Sequence, residues 1–317
     1  MSLSSATIVD YVSTHVADSE IHPELATAAR LMPRALVSIR SLRWIRKAQA
    51  LQDRRTPSGV EVLTLTSGIE VRLHRPPQST DTGGALFWIH GGGYVIGTPS
   101  QDDILCRRYA KELGVTVAAV RYRLAPENPY PAGLEDCYSA LEWFIRLPSV
   151  DPSRVAIGGA SAGGGMAAAL AQLVHDRGEI ALQAQLLVYP MLDDRSGHRN
   201  EPDNPGQRLW DKRSNRFGWR AYLGGADPDV AVPARRDDLA GLPPAWIGVG
   251  TFDLFHDEDI EYAQRLRAAG VPCELEVVPG AFHGFDGIVA KSAVAQSFLA
   301  SQMEFLRPAL TPGIAAR

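Results

Sequence analysis

The run GGASAGGG at residues 158–165 follows the apolar stretch Arg154-Val155-Ala156-Ile157 and precedes a helix-forming run over residues 166–174. This reads as strand, sharp turn and helix with Ser161 at the apex, and Gly159 and Gly163 complete G-x-S-x-G. A strained strand-to-helix turn of this kind lifts a serine hydroxyl above the end of a sheet, where it can act as a nucleophile. The first N–H groups of the helix then point at any anion that forms beside it. Upstream, His90-Gly91-Gly92-Gly93 ends the apolar run Leu86-Phe87-Trp88-Ile89. Acyl transfer builds negative charge on the former carbonyl oxygen, and a glycine loop lets that oxygen approach main-chain N–H groups. Gly91 and Gly92, with Ala162, are therefore the expected donors. His90 is expected to pin this loop rather than to react.

A serine hydroxyl is almost un-ionised at neutral pH and needs a general base, which in this architecture follows Ser and an intervening Asp or Glu in chain order. The histidines after Ser161 are His175, His198, His256 and His283. His283, in Gly280-Ala281-Phe282-His283-Gly284-Phe285, sits in a glycine-flanked loop after a sheet strand, where catalytic loops gather. His175 reads as a helix-face residue, His198 lies in an irregular segment, and His256 is a weaker rival at a helix start. The orienting carboxylate belongs in the loop after the preceding strand, where Trp246-Ile247-Gly248-Val249-Gly250 leads to Thr251-Phe252-Asp253. Asp253 fits. Asp257, Glu258 and Asp259 are rivals, but at the start of a helix they are expected to cap its positive end.

These residues need a scaffold, and the chain supplies one. Residues 60–65 and 69–73 alternate apolar and polar side chains around Ser67-Gly68, a β-hairpin pattern. Short apolar runs at 85–89, 115–120, 155–158, 185–189, 246–249 and 274–278 read as strands. Amphipathic helices near 101–113, 132–147, 163–177, 257–269 and 288–306 lie between or after them. The expectation is an α/β fold with a mostly parallel sheet of about eight strands covered on both faces.

Two regions stand outside this alternation. Residues 1–55 read as helices, from Ile8-Val9-Tyr11-Val12-Val16 and Leu31-Leu36-Val37-Ile39, while Arg34, Arg40, Arg43, Arg46 and Lys47 give the second segment a basic face expected to be solvated. Residues 191–244 show no strand pattern but carry Trp210, Phe217, Trp219 and Tyr222. The expected organisation is a helical cap segment over 1–55 and a catalytic domain over 56–317, with 191–244 inserted as a second part of the cap.

Among 317 residues, 45% are hydrophobic and 21% charged, with a formal net charge of −4, so no basic field invites nucleic acid. No run approaches the roughly 18 apolar residues of a membrane span, and the opening MSLSSATIVDYV lacks the basic start and apolar core of a signal peptide. Cys106, Cys137 and Cys273 are odd in number and scattered, which favours buried free thiols in a reducing, cytoplasmic setting.

The segments HGGGYVIG, YRLAPENPYPAGLED, GASAGG, FDLFHDE and GAFHGF occur in the order found in the hormone-sensitive-lipase-like family of α/β-hydrolases, which the chain resembles from about residue 85 to 287. The helical start resembles that family's N-terminal cap. Two positions depart from the family pattern: Ala160 stands where many relatives have Asp or Thr, and Leu254 where Pro is commoner. The resemblance implies an α/β-hydrolase fold and a carboxylic ester hydrolase with Ser161 as nucleophile, His283 as base, Asp253 as orienting acid, and Gly91, Gly92 and Ala162 as oxyanion donors. It also implies small esters of short to medium acyl chains as substrates, with Tyr94, Trp210, Phe217 and Trp219 as pocket residues. No metal or organic cofactor is expected. The same residues would serve amide, carbamate or acetyl-group hydrolysis, and a non-catalytic ligand-binding protein can use this fold. Homodimerisation is left open.

Overall fold

The computed structural model describes residues 20–35, 41–53, 57–200 and 204–311. The expected helix around residues 8–16, together with Leu36, Val37, Ile39 and Arg40, lies outside them. Eight strands form one sheet: β1 (Val60–Thr64), β2 (Glu70–His74), β3 (Ala85–Ile89), β4 (Thr116–Arg121), β5 (Val155–Ala160), β6 (Ala184–Val188), β7 (Ala245–Gly250) and β8 (Cys273–Val278). Their order is β1-β2-β4-β3-β5-β6-β7-β8, with β1–β2 and β2–β4 antiparallel and every later pairing parallel.

The period of two along each strand separates the core into two layers. On β3, Ala85, Phe87 and Ile89 face one cluster, while Leu86 and Trp88 face the other, and all five are fully buried. The first cluster is closed by α4 (Ala132–Phe144), α5 (Ala162–Arg177) and α8 (His256–Ala268). The second is closed by α3 (Asp103–Leu113), the short α9 (Phe285–Ile288) and α10 (Ala293–Leu310). With both faces covered, the central strands tolerate few polar residues, which is why they read as continuous apolar runs.

Chain outside the alternating pattern packs around the C-terminal ends of the strands. At the N-terminal side lie α1 (Ala26–Leu31) and α2 (Leu42–Asp53); the segment after β6 holds α6 (Lys212–Leu223) and the short α7 (Pro228–Ala231). The two regions touch: Leu209 N–H donates to Pro33 O at 2.8 Å, and Arg208 bonds the carbonyl of Ala29. His22 N–H donates to Gly280 O at 2.9 Å, tying the N-terminal segment to the loop that carries His283.

Two expectations need correction. Cys106 and Cys137 are buried, but Cys273 is only half-buried, because it opens the edge strand β8. On α2, Arg43 and Lys47 are exposed, but Arg46 turns inward onto the protein instead of pointing to solvent.

Candidate active site

Ser161 follows β5 directly, with φ 59° and ψ −124°, a conformation that costs a non-glycine residue of order 1–3 kcal/mol. Three backbone bonds hold it there. Ser161 N–H donates to Val188 O at 2.9 Å, and its carbonyl accepts from Gly165 N–H at 3.0 Å and Met191 N–H at 2.9 Å. Two of these partners belong to β6 and the chain leaving it, so the neighbouring strand helps to enforce the turn. Gly163 is required in the first turn of α5, since a Cβ there would overlap the carbonyls of Ile89 and His90.

The loop after β8 brings His283 to this serine, with Nε2 2.9 Å from Ser161 Oγ and Nδ1 2.7 Å from Asp253 Oδ2. A carboxylate can only accept, so Nδ1 carries the proton and Nε2 presents its lone pair to the serine hydroxyl. Asp253 Oδ1 in turn accepts from Phe255 N–H at 3.0 Å. The Asp253 side chain is wholly buried, while that of His283 keeps 10% of its surface exposed. Two aromatic neighbours meet the imidazole at steep angles, Tyr189 at 4.9 Å and Phe255 at 5.2 Å between ring centres.

Gly91 lies against the elbow, where an added Cβ would stand 3.2 Å from Ser161 Cβ. Gly92 has φ 131°, open to glycine but strained for other residues. Among the described residues no acceptor is paired with the N–H of Gly91 or Gly92. Ala162 opens α5, so its N–H has no partner within the helix. His90 donates from Nδ1 to Gly91 O at 2.9 Å and stacks on Tyr122 at 4.4 Å, whose hydroxyl donates to His90 O at 3.0 Å. Burial pulls its pKa down to about 4, so the ring is neutral and its contacts are those of a structural pin.

The rival residues lie elsewhere. His256 pairs with Asp257 at 2.7 Å at the start of α8, and Asp257 also accepts from Arg199 at 3.1 Å. Glu258 and Asp259 lie in the first turn of α8, as expected of acids that cap its positive end, but both are buried, and the chain leaving β6 covers Glu258. Glu258 Oε1 accepts from Leu192 N–H at 2.7 Å and Asp193 N–H at 3.1 Å. Burial pushes Glu258 up to about 8, so it supplies no reliable charge to the helix end at neutral pH, and burial raises Asp259 as well.

The four aromatic residues expected to line a pocket separate into two groups. Tyr94 and Trp219 are each 2% exposed and pack on each other at 5.2 Å, with Tyr222 stacked on Tyr94 at 4.2 Å. Tyr94 Oη donates to Met191 O at 3.0 Å. These two residues belong to the core, Trp219 as an inward-facing residue of α6 and Tyr94 packed against it. Trp210 is also buried, at 5% exposed, but lies on Gly93, where any Cβ would overlap its indole ring, and Phe217 is half-buried. Sequence reasoning missed Tyr189. Its hydroxyl donates to Asp286 Oδ1 at 2.7 Å, and its φ of 35° is rare for a tyrosine. The only sequence signal was its place at the end of a strand, before Pro190.

Among the described residues, no helix is long and apolar enough to cross a membrane. A model of the α/β hydrolase fold family matches residues 86–287. Esterase LipI of Mycobacterium tuberculosis is 36% identical over 228 residues, 69% of this chain and 71% of its own length. An ethyl acetate hydrolase of Pseudomonas putida is 33% identical over 249 residues, covering 72% of this chain and 76% of its own. Among solved structures, that of a bacterial heroin esterase matches 92% of this chain and 98% of its own, at a TM-score of 0.82 and 36% identity. A serine held in a strained elbow, a sheet of this order and relatives of this kind together show that the chain belongs to the α/β-hydrolase family, in its hormone-sensitive-lipase-like branch, and is a carboxylic ester hydrolase.

Proposed function

We propose that Ser161 is the nucleophile, His283 the general base and then acid, Asp253 its orienting carboxylate, and the N–H groups of Gly91, Gly92 and Ala162 the oxyanion donors. The observation that carries this reading is the line from Ser161 Oγ through His283 to Asp253, at 2.9 and 2.7 Å. Ser161 Oγ adds to the ester carbonyl carbon as its proton passes to His283 Nε2, and the carbonyl electron pair moves onto oxygen. The oxyanion collapses, the bond to the alcohol oxygen breaks, and the alcohol leaves with the proton from His283. Water repeats the sequence on the acyl-enzyme: it gives a proton to Nε2, adds to the acyl carbon, and expels Ser161, which regains that proton. Asp253 stays ionised and stabilises the imidazolium formed in each half.

The substrates in this reading are small esters of short to medium acyl chains, met by Trp210 and Phe217. Support comes from the Trp210 ring on Gly93 and from the likeness to an ethyl acetate hydrolase. Residues 1–55 and 191–244 act as a cap, a reading supported by the hydrogen bonds of Leu209 and Arg208 to the N-terminal segment. The net charge of −4 supports a small-molecule partner rather than nucleic acid, and three free cysteines support a cytoplasmic setting. The test is a series of p-nitrophenyl esters of rising acyl length, with matched anilides, on wild type and Ser161→Ala. Ester turnover should fall by several orders of magnitude in the variant at an unchanged melting temperature. A folded Ser161→Ala protein with near wild-type turnover overturns the reading.

A further inference from the structure

The helix α2 directs a row of polar side chains at the outer side of the loop that contains Gly91 and Gly92. Arg46 Nε donates to Val95 O at 2.8 Å, and its terminal nitrogens reach Ala125 O at 2.6 Å and both carboxylate oxygens of Glu127 at 2.8 and 2.9 Å. Gln49 Oε1, one turn along, accepts from Gly97 N–H at 3.1 Å. Asp53, a further turn along, accepts from the Ser100 hydroxyl and, at 2.7 Å, from Arg121. Spacings of three and four residues put all three side chains on one face of the helix.

The backbone they grip is continuous with the oxyanion glycines. Val95 and Ile96 N–H groups donate to Gly92 O at 3.1 and 2.9 Å. Gly97 packs on the Gly91 carbonyl and the His90 ring, and a Cβ on it would overlap both. Between α2 and this loop lies a cavity of about 350 Å³, lined by Arg46, Gln49, Asp53, Gly97, Thr98 and Arg121 among others. Directed hydrogen bonds therefore reach the outer side of the loop across this gap, beside the apolar cluster that Leu42 and Ile45 of α2 share with Val95 and Ile96.

We propose that Arg46 and Gln49 are positioning residues for the oxyanion hole: α2 fixes the 91–97 loop from outside, so an N-terminal helix contributes to transition-state stabilisation without touching substrate. The proposal rests on the assignment of Gly91 and Gly92 as oxyanion donors. Donor placement matters because the charge it meets develops only in the transition state, and a shift approaching 1 Å removes much of the effect. Loss of the support therefore lowers kcat and leaves KM nearly unchanged.

Gln49 allows a clean test, since Gln49→Glu keeps an oxygen acceptor for Gly97 N–H and Gln49→Ala does not. Gln49→Ala and Arg46→Met should each lower kcat by about tenfold with KM within about twofold. Affinity for a trifluoromethyl ketone, which adds to the serine and places an oxyanion in the hole, should weaken by a similar factor. Gln49→Glu should recover most of both. The proposal is overturned if Gln49→Ala and Arg46→Met lower only the melting temperature, with ketone affinity intact, or if Gln49→Glu is as impaired as Gln49→Ala. If Arg46→Met does not fold, the two Gln49 variants decide alone. Ser161→Ala separates the two readings: activity in that variant defeats the site assignment itself, whereas an inactive Ser161→Ala beside an unimpaired Gln49→Ala defeats only the role of α2.

Discussion

His283 is fixed by four neighbours of different chemistry, with Asp253 on Nδ1, Ser161 on Nε2, and Tyr189 and Phe255 against the ring. The carboxylate forces the tautomer. In Asp253→Asn the amide can turn an NH₂ toward Nδ1, move the proton to Nε2 and remove the base, so kcat should drop by about 10⁴-fold. His283→Ala should be comparably severe. His256→Ala should change kcat by less than about twofold, because that imidazole is engaged with Asp257 at the helix start. Steady-state kinetics on one short-chain ester check all three, and a reversed order for the two histidine variants would refute the assignment of the base.

The elements around the site respond differently to substitution. A methyl group at Gly163 would meet backbone carbonyls of Ile89 and His90, which cannot withdraw without disturbing the β3 end and the glycine loop. Gly163→Ala should therefore cost about 3 kcal/mol or more, seen as a large fall in melting temperature or loss of soluble protein. On the opposite side, Trp210→Ala removes the indole that covers Gly93, and Phe217→Ala trims a half-buried ring. Each accommodated methylene is worth about 0.8 kcal/mol, close to fourfold in kcat/KM, so these two variants should shift the hexanoate-to-acetate ratio by at least about fourfold. Trp219→Ala should leave that ratio unchanged and lower the melting temperature, since its ring is packed on Tyr94 and Tyr222. Unchanged ratios for both Trp210→Ala and Phe217→Ala would remove these residues from the pocket.

At the scale of the whole molecule, the buried acids link stability to pH. Burial raises Glu258 from 4.5 to about 8, so between these values the folded chain keeps a proton that the unfolded chain releases. Its contribution is fully present below pH 4.5 and is lost as pH rises toward 8. The melting temperature should accordingly decline across this window. Glu258→Gln keeps an oxygen for the Leu192 and Asp193 N–H groups but cannot titrate, and should flatten the decline. Asp102, pushed up to about 7 by burial, acts in the same direction, so part of the slope should remain. Identical slopes in wild type and Glu258→Gln would show that this carboxyl is ionised in the folded protein.

The sequence alone determined what is local in origin. The glycines flanking Ser161, the glycine loop after β3 and the apolar strands alternating with amphipathic helices each follow from sterics or periodicity within a few residues, and they define the sheet and its order of elements. Ser161, Asp253 and His283 could be singled out because each sits just beyond a strand end, although the bonds between them span 122 and 30 positions of chain. Tertiary structure alone decided what depends on which surface covers which. Glu258 looked like a charged helix cap, but the Leu192 and Asp193 N–H groups of the chain leaving β6 close over it and bury it. Arg46 looked like a solvated cation, but its carbonyl partners are 49 and 79 residues away. Tyr94 and Trp219 looked like pocket walls, but α6 folds them into the core. A sequence pattern reports a side chain's polarity and period; whether its partner is water, a ligand or a distant carbonyl is set by long-range packing.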